Sequence, residues 1–185
     1  TWIIDPLDGT MNFVHGFPQF AVSIALKHGT HIEHAVIYDP LSPDLYTASR
    51  GSGAQLNDRR IRVSTQETFR NALIGCELNC YRSEEDNLYL LKLIKSIFEK
   101  GGDTRKNGSA ALNLAYVATG RLDGFLEPGL KEWDIAAGVL LVREAGGFVS
   151  DFTGENEFLE SGDIIAGTRK MHGELLALWK EIRSL

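Results

Sequence analysis

Short apolar runs rich in β-branched residues recur along the chain between clusters of turn residues. This rhythm predicts strands at 2–5, 20–26, 32–38, 45–50, 72–77, 122–127, 148–152 and 164–166. Lys27-His28-Gly29-Thr30-His31 reads as a hairpin turn between two of them. Helical spacing predicts four helices. Residues 84–100 follow a cap at Ser83, place Leu91, Ile94 and Phe98 on one face and stop at Gly101-Gly102. Residues 109–119 end at Gly120, residues 133–145 end at Gly146-Gly147, and residues 170–183 turn Leu175, Leu176 and Trp179 inward. Strands dominate the first half and interleave with helices in the second. The expectation is an α+β fold of stacked sheets and helices, not a regular parallel βαβ array.

A length of 185 residues with 43% hydrophobic content supports one sizeable core and a single domain. A net charge of -6 argues against a general nucleic-acid or membrane-surface role, which needs concentrated positive charge. The basic stretch at 58–62 reads as a solvated hairpin face. No apolar run approaches the roughly 18 residues of a spanning helix, and the start does not resemble a signal peptide. Cys76 and Cys80 have no second pair and no histidine at ligand spacing, so neither a zinc site nor a disulfide framework is expected. A reduced, cytoplasmic protein fits. The chain opens with Thr1-Trp2 directly on a strand, and the expectation is a fragment of a longer gene product.

Candidate chemistry concentrates in Trp-Ile-Ile-Asp-Pro-Leu-Asp-Gly-Thr-Met-Asn-Phe, residues 2–13. Asp5 is expected to end a buried strand, Pro6 fixes the backbone, and Asp8 follows closely enough for both carboxylates to enter one small space. Two such acids repel unless a cation lies between them. With the Leu7 carbonyl they form a hard oxygen set suited to Mg²⁺. Gly9 permits close backbone approach, and residues 10–12 can open a short helix whose free N–H groups face an anion. A tight proline turn explains the same residues equally well. A second acid, Asp134, begins the predicted helix at 133–145, where its carboxylate can serve either as a cap or as a metal ligand.

The Asp-Pro-Leu-Asp-Gly-Thr element at 5–10 and the Trp-Asp-Ile-Ala-Ala-Gly…Glu-Ala-Gly-Gly element at 133–147 together resemble the paired signatures of the inositol monophosphatase family, in its bacterial branch. The likeness continues through Gly-Ser-Ala-Ala-Leu-Asn-Leu-Ala-Tyr-Val-Ala-Thr-Gly-Arg-Leu-Asp-Gly-Phe-Leu-Glu at 108–127. It implies a layered α-β-α-β-α sandwich of the sugar phosphatase type whose N-terminal part is absent, residues 1–185 being a single incomplete phosphatase domain.

The resemblance also implies roles. Asp5, Asp8 and Asp134 would bind Mg²⁺ through carboxylates and Leu7 through its carbonyl. Gly9 and Thr10 would hold phosphate with backbone N–H groups, and the Thr10 hydroxyl would orient the attacking water. Asp5, bridging two ions, would be the costliest to lose. Ala110 would contact substrate at a helix N-terminus, and Glu127 would receive substrate hydroxyls, although a surface strand end is the plainer reading of Glu127. Family members carry a further metal-binding glutamate upstream of the first element, which this sequence lacks. The 185 residues alone are therefore expected to bind Mg²⁺ weakly and turn over slowly.

The implied activity is hydrolysis of a small phosphate monoester, inositol 1-phosphate first, with Li⁺ sensitivity and a homodimer. Fructose 1,6-bisphosphate, histidinol phosphate and 3′-phosphoadenosine nucleotides are alternative substrates. A scaffold that binds a transcription-related protein without catalysis is the alternative from another class.

Overall fold

The computed structural model describes residues 1–77 and 84–184. Cys80, for which no ligand or disulfide role is expected, and Ser83, the expected cap, lie outside them. β1 (Trp2–Asp8), β2 (Ala21–His28), β3 (His31–Asp39), β4 (Asp44–Ser49), β5 (Gly53–Leu56) and β6 (Arg59–Arg60) form a six-stranded antiparallel meander in sequence order. β7 (Leu73–Cys76), β8 (Asp103–Arg105), β9 (Gly124–Glu127), β10 (Phe148–Ser150) and β11 (Ile164–Gly167) form a second sheet in the order β10-β11-β9-β7-β8. Its β9-β7-β8 side is parallel and its β10-β11-β9 side antiparallel.

α3 (Ala110–Ala118) and α4 (Glu132–Glu144) fill the space between the sheets. A helix apolar all round belongs in a core, and eight of the nine α3 residues are buried. Gly138 lets the two helices close, since a Cβ there would lie 2.4 Å from Leu114 Cδ1. α2 (Glu84–Glu99) and α6 (Arg169–Arg183) cover the other face of the second sheet. The described residues thus build four layers of the expected α+β sandwich. α1 (Thr10–Val14) and α5 (Phe158–Ser161) are short additions. No helix among the described residues is long and apolar enough to cross a membrane.

Two expectations need correction. In α2 the inward residues are Leu90, Leu93 and Ile97, while Leu91 and Phe98 are exposed and only Ile94 packs at the margin. Both triplets have helical spacing, so periodicity alone could not choose between adjacent stripes; packing on α6 and β8 did. β1 is not a buried strand ending at Asp5. It runs on to Asp8 at the sheet edge, and its pattern alternates, with Ile3 buried and Trp2 and Ile4 exposed. The short strands β5, β6 and β8 and the helix α5 were not expected as elements, although Arg59 and Arg60 do lie on an exposed hairpin arm.

Candidate metal and phosphate site

Residues three apart on a regular strand point to opposite faces. β1 escapes this rule through a bulge: Asp5 pairs with Ser23 and Asp8 with Ala21, so β1 advances three residues while β2 advances two. Pro6, which cannot donate to a ladder, sits within the bulge on an edge strand, where it is tolerated. The one-residue shift restores parity and brings both acids to the same side. Asp5 Oδ1 accepts from Leu7 N at 2.9 Å, and Thr10 Oγ1 donates to Leu7 O at 3.0 Å. Gly9 turns into α1 with φ 85°, and a Cβ there would lie 2.7 Å from Gln19 O.

Asp134 arrives from the first turn of α4, where its Oδ2 accepts from Lys131 N at 2.7 Å. Capping and convergence on the other acids prove compatible. Asp5, Asp8 and Asp134 each offer a carboxylate oxygen within 4.8 Å of the other two. Ser109 Oγ donates to Asp8 Oδ2, as does Ala111 N at 2.9 Å, so Asp8 sits on the N-terminus of α3. Ala110 is the first residue of that helix.

Electrostatics set these acids apart. Burial pushes the Asp8 carboxyl from 3.8 up to about 7; the bonds from Ser109 and Ala111 lower it, and the charges of Asp134 and Asp5 raise it. Burial also raises Asp134, opposed by its Lys131 bond and reinforced by Asp5. Glu127 is raised well above the carboxylate range, first by burial and then by Glu77, Asp8 and Asp134. Its plainer reading is corrected here: Glu127 is buried, and its Oε2 has no hydrogen-bond partner among the described residues. Three converging carboxylates that present only oxygen ligands fit a hard divalent cation such as Mg²⁺.

Topology explains where the cluster sits. β7 and β9 run parallel with Cys76 opposite Leu126, so Glu77 and Glu127 stand side by side just beyond the paired residues, where ligand crevices open in parallel sheets. Glu77 was missed as a functional candidate. The available signal was that two predicted strands both end in Glu, but their pairing register is not visible in sequence. Asn12, Asn107 and Asn113, which brace the same region, were missed for the same reason.

A sequence profile of the inositol monophosphatase family matches residues 1–184. A Nus factor SuhB from Pseudomonas aeruginosa is 53% identical over 176 residues, covering 95% of this chain and 65% of that protein. An inositol-1-monophosphatase from Mesorhizobium japonicum is 49% identical over 180 residues, covering 97% and 67%. Among solved structures, the extragenic suppressor protein SuhB from Bartonella henselae superposes with a TM-score of 0.92 at 45% identity, over 97% of this chain and 68% of that one. The chain thus spans about two thirds of the length of these relatives.

Proposed function

The chain belongs to the inositol monophosphatase family, and on that premise we propose that it serves Mg²⁺-dependent hydrolysis of a small phosphate monoester, inositol 1-phosphate being the first candidate. The observation that carries this reading is the convergence of Asp5, Asp8 and Asp134 within 4.8 Å, beside the turn at Gly9-Thr10. Phosphate-monoester hydrolysis is among the slowest uncatalysed reactions, accelerated by up to about 10²¹-fold, whereas one general base supplies roughly 10²–10⁴. A cation must supply much of the difference.

In this reading Asp5, Asp8, Asp134 and the Leu7 carbonyl hold Mg²⁺, which when bound neutralises phosphoryl and leaving-group charge and makes water more acidic. The backbone N–H groups of Gly9 and Thr10 bind phosphate oxygens, and the backbone of Ala110 contacts the substrate at the start of α3. Thr10 Oγ1 donates to Leu7 O, which leaves its lone pairs free to accept from a water and orient it. Glu127 Oε2, buried and unpartnered, receives a hydroxyl of the substrate. The cytoplasmic location, the homodimer and the Li⁺ sensitivity belong to the same proposal.

The test is phosphate release from inositol 1-phosphate with and without Mg²⁺, by the 185-residue chain beside the complete gene product. Activity in the complete product that Asp5→Asn abolishes supports the reading. Activity on fructose 1,6-bisphosphate, histidinol phosphate or a 3′-phosphoadenosine nucleotide alone would move the substrate. The names of the SuhB relatives favour a second reading, a scaffold for a transcription-related protein. Absence of both hydrolysis and Mg²⁺ binding would select it. Retention of three mutually repelling carboxylates favours the enzyme.

A further inference from the structure

Glu77 and Glu127 are neighbouring buried acids with different bonding. Glu127 keeps Oε2 unpartnered, whereas Glu77 Oε1 accepts from Asn107 N at 2.7 Å, Gly108 N at 2.9 Å and Asn113 Nδ2 at 3.1 Å. Asn107 and Gly108 form the turn that delivers the chain to Ser109, the N-cap of α3. Gly108 has φ 74°, and a Cβ there would lie 2.8 Å from Asn12 Nδ2. Asn12 Nδ2 donates to Asn107 O at 2.8 Å and to Gln19 O at 2.7 Å, while Asn107 Nδ2 donates to Asn113 Oδ1 at 2.6 Å. The turn at Gly9-Thr10 and the turn before Ala110 come from different layers of the fold. Asn12 ties one to the other, and both are referenced to a single carboxylate oxygen.

We propose that Glu77 is a positioning residue that sets the spacing of the Gly9-Thr10 turn and the turn before Ala110 and, through Ser109 and Ala111, the orientation of Asp8. This rests on the phosphatase reading and names a residue that acts through others in the same site. A carboxylate oxygen that accepts two successive backbone N–H groups and a side-chain amide fixes the turn against rotation. Released from it, Gly108 has the conformational range of an unrestrained glycine. Misplacement by about 1 Å in such a site costs roughly 10²-fold in rate, and the loss of a group that orients a metal ligand costs about 10–100-fold.

The experiment compares Glu77→Ala and Glu77→Gln in the complete gene product, reading kcat and KM for inositol 1-phosphate, calorimetric Mg²⁺ binding, Tm, and hydrogen exchange of the amides at 107–111. Glu77→Ala is expected to lower kcat by about 10–100-fold with a smaller change in KM, to weaken Mg²⁺ binding, and to speed exchange at 107–111. Glu77→Gln, whose Oε1 can still accept, is expected to recover kcat to within roughly threefold of the parent. A lower Tm with kcat, Mg²⁺ binding and exchange unchanged in Glu77→Ala would overturn the proposal, as would a Gln variant as impaired as the Ala variant. If the parent hydrolyses no phosphate ester, the phosphatase reading fails by itself, and exchange and calorimetry still decide the role of Glu77. Should Glu77→Ala not fold, Asn113→Ala removes one of the three donors, and the same readouts must move together, more mildly, for the proposal to stand.

Discussion

Asp8 and Asp151 are both buried aspartates, and their surroundings drive them in opposite directions. Asp151 Oδ1 accepts from Thr153 N at 2.8 Å, Thr153 Oγ1 at 2.6 Å, Gly154 N at 2.9 Å and Glu155 N at 2.9 Å. Burial pushes that carboxyl up, but these four donors together outweigh it and hold it below its usual value. Asp8 has two donors, from Ser109 and Ala111, and two acids beside it, so burial prevails and the carboxyl rises to about 7. Asp151 is a carboxylate whose bonds are complete within its own turn. Asp8 is one that the fold leaves wanting a cation.

Substituting each by its isostere separates the two most strongly in activity. In the complete gene product, Asp8→Asn is expected to reduce phosphate release by roughly 10²-fold or more, since the loss of even an outer partner of a metal ligand costs about 10–100-fold. The same change should raise the Tm of the metal-free protein at pH 8. An amide N–H facing Asp5 and Asp134 replaces repulsion by hydrogen bonding, an effect of about 1–2 kcal/mol or roughly 2–8 °C in a chain of this length. Phosphate-release assays and thermal melts in a chelator measure both. A lowered Tm for Asp8→Asn would place Asp8 in the same class as Asp151.

Asp151→Asn should do the reverse. Its oxygen can still accept, but the charge that strengthens all four bonds is gone, and a loss of about 1–3 kcal/mol is expected, seen as a lower Tm or denaturation midpoint. Phosphate release per folded molecule should stay near the parent value. A large fall in specific activity without loss of stability would mean that the 151–155 turn reaches the site.

Sequence reading singled out Asp8 and passed over Asp151. Asp5, Asp8, Gly9 and Thr10 form one local pattern and Asp134 belongs to another at a predicted helix start, so the candidates were visible before the structure. What the sequence does not show is how they converge: through a β1 bulge that shifts register by one residue and an α3 N-terminus about a hundred residues further on. Glu77 and Asn12 stayed hidden for the same reason: their partners are far away in sequence. Asp151 gave no signal, because an Asp near Thr and Gly resembles any turn. Strand positions were legible at β1 to β4, whose apolar runs are long enough to show a period, and not at the short β5, β6 and β8, which exist by pairing with their neighbours.

Acidity gives a smaller but oppositely signed pair of effects. In the metal-free protein Asp8 keeps its proton to about pH 7, whereas its ordinary value is 3.8. Between those values the folded state binds more protons than the unfolded one, so the Asp8 contribution falls as pH rises from about 4 to 7 and then levels off. Asp151, held below 3.8, contributes stability that is present above that value and lost as pH falls beneath it. Mg²⁺ competes with the proton on Asp8, so it should raise Tm at pH 8 more than at pH 5, approaching about 2.7 kcal/mol at a hundredfold excess over its Kd. Equal shifts at both pH values would show that Asp8 is not where the ion binds.

The finest distinction lies in single hydrogen bonds. Thr153→Ala removes one of four donors from Asp151 and leaves three backbone N–H groups in place, so the charge remains well solvated by the turn. A loss of about 0.5–1.5 kcal/mol, the net worth of one bond, is expected, with phosphate release unchanged. Ser109→Ala removes one of only two donors from Asp8 and also the cap that accepts from Leu112 N at 3.2 Å. Here loss of the α3 cap, about 1 kcal/mol, is joined by a further rise in the proton affinity of Asp8. The discriminating measurement is the pH dependence of Mg²⁺ binding by calorimetry. Ser109→Ala should move its midpoint upward, while Thr153→Ala should leave it where it is. If neither variant moves the midpoint, then Ser109 acts on α3 alone, and the two donors of Asp8 have no part in setting its charge.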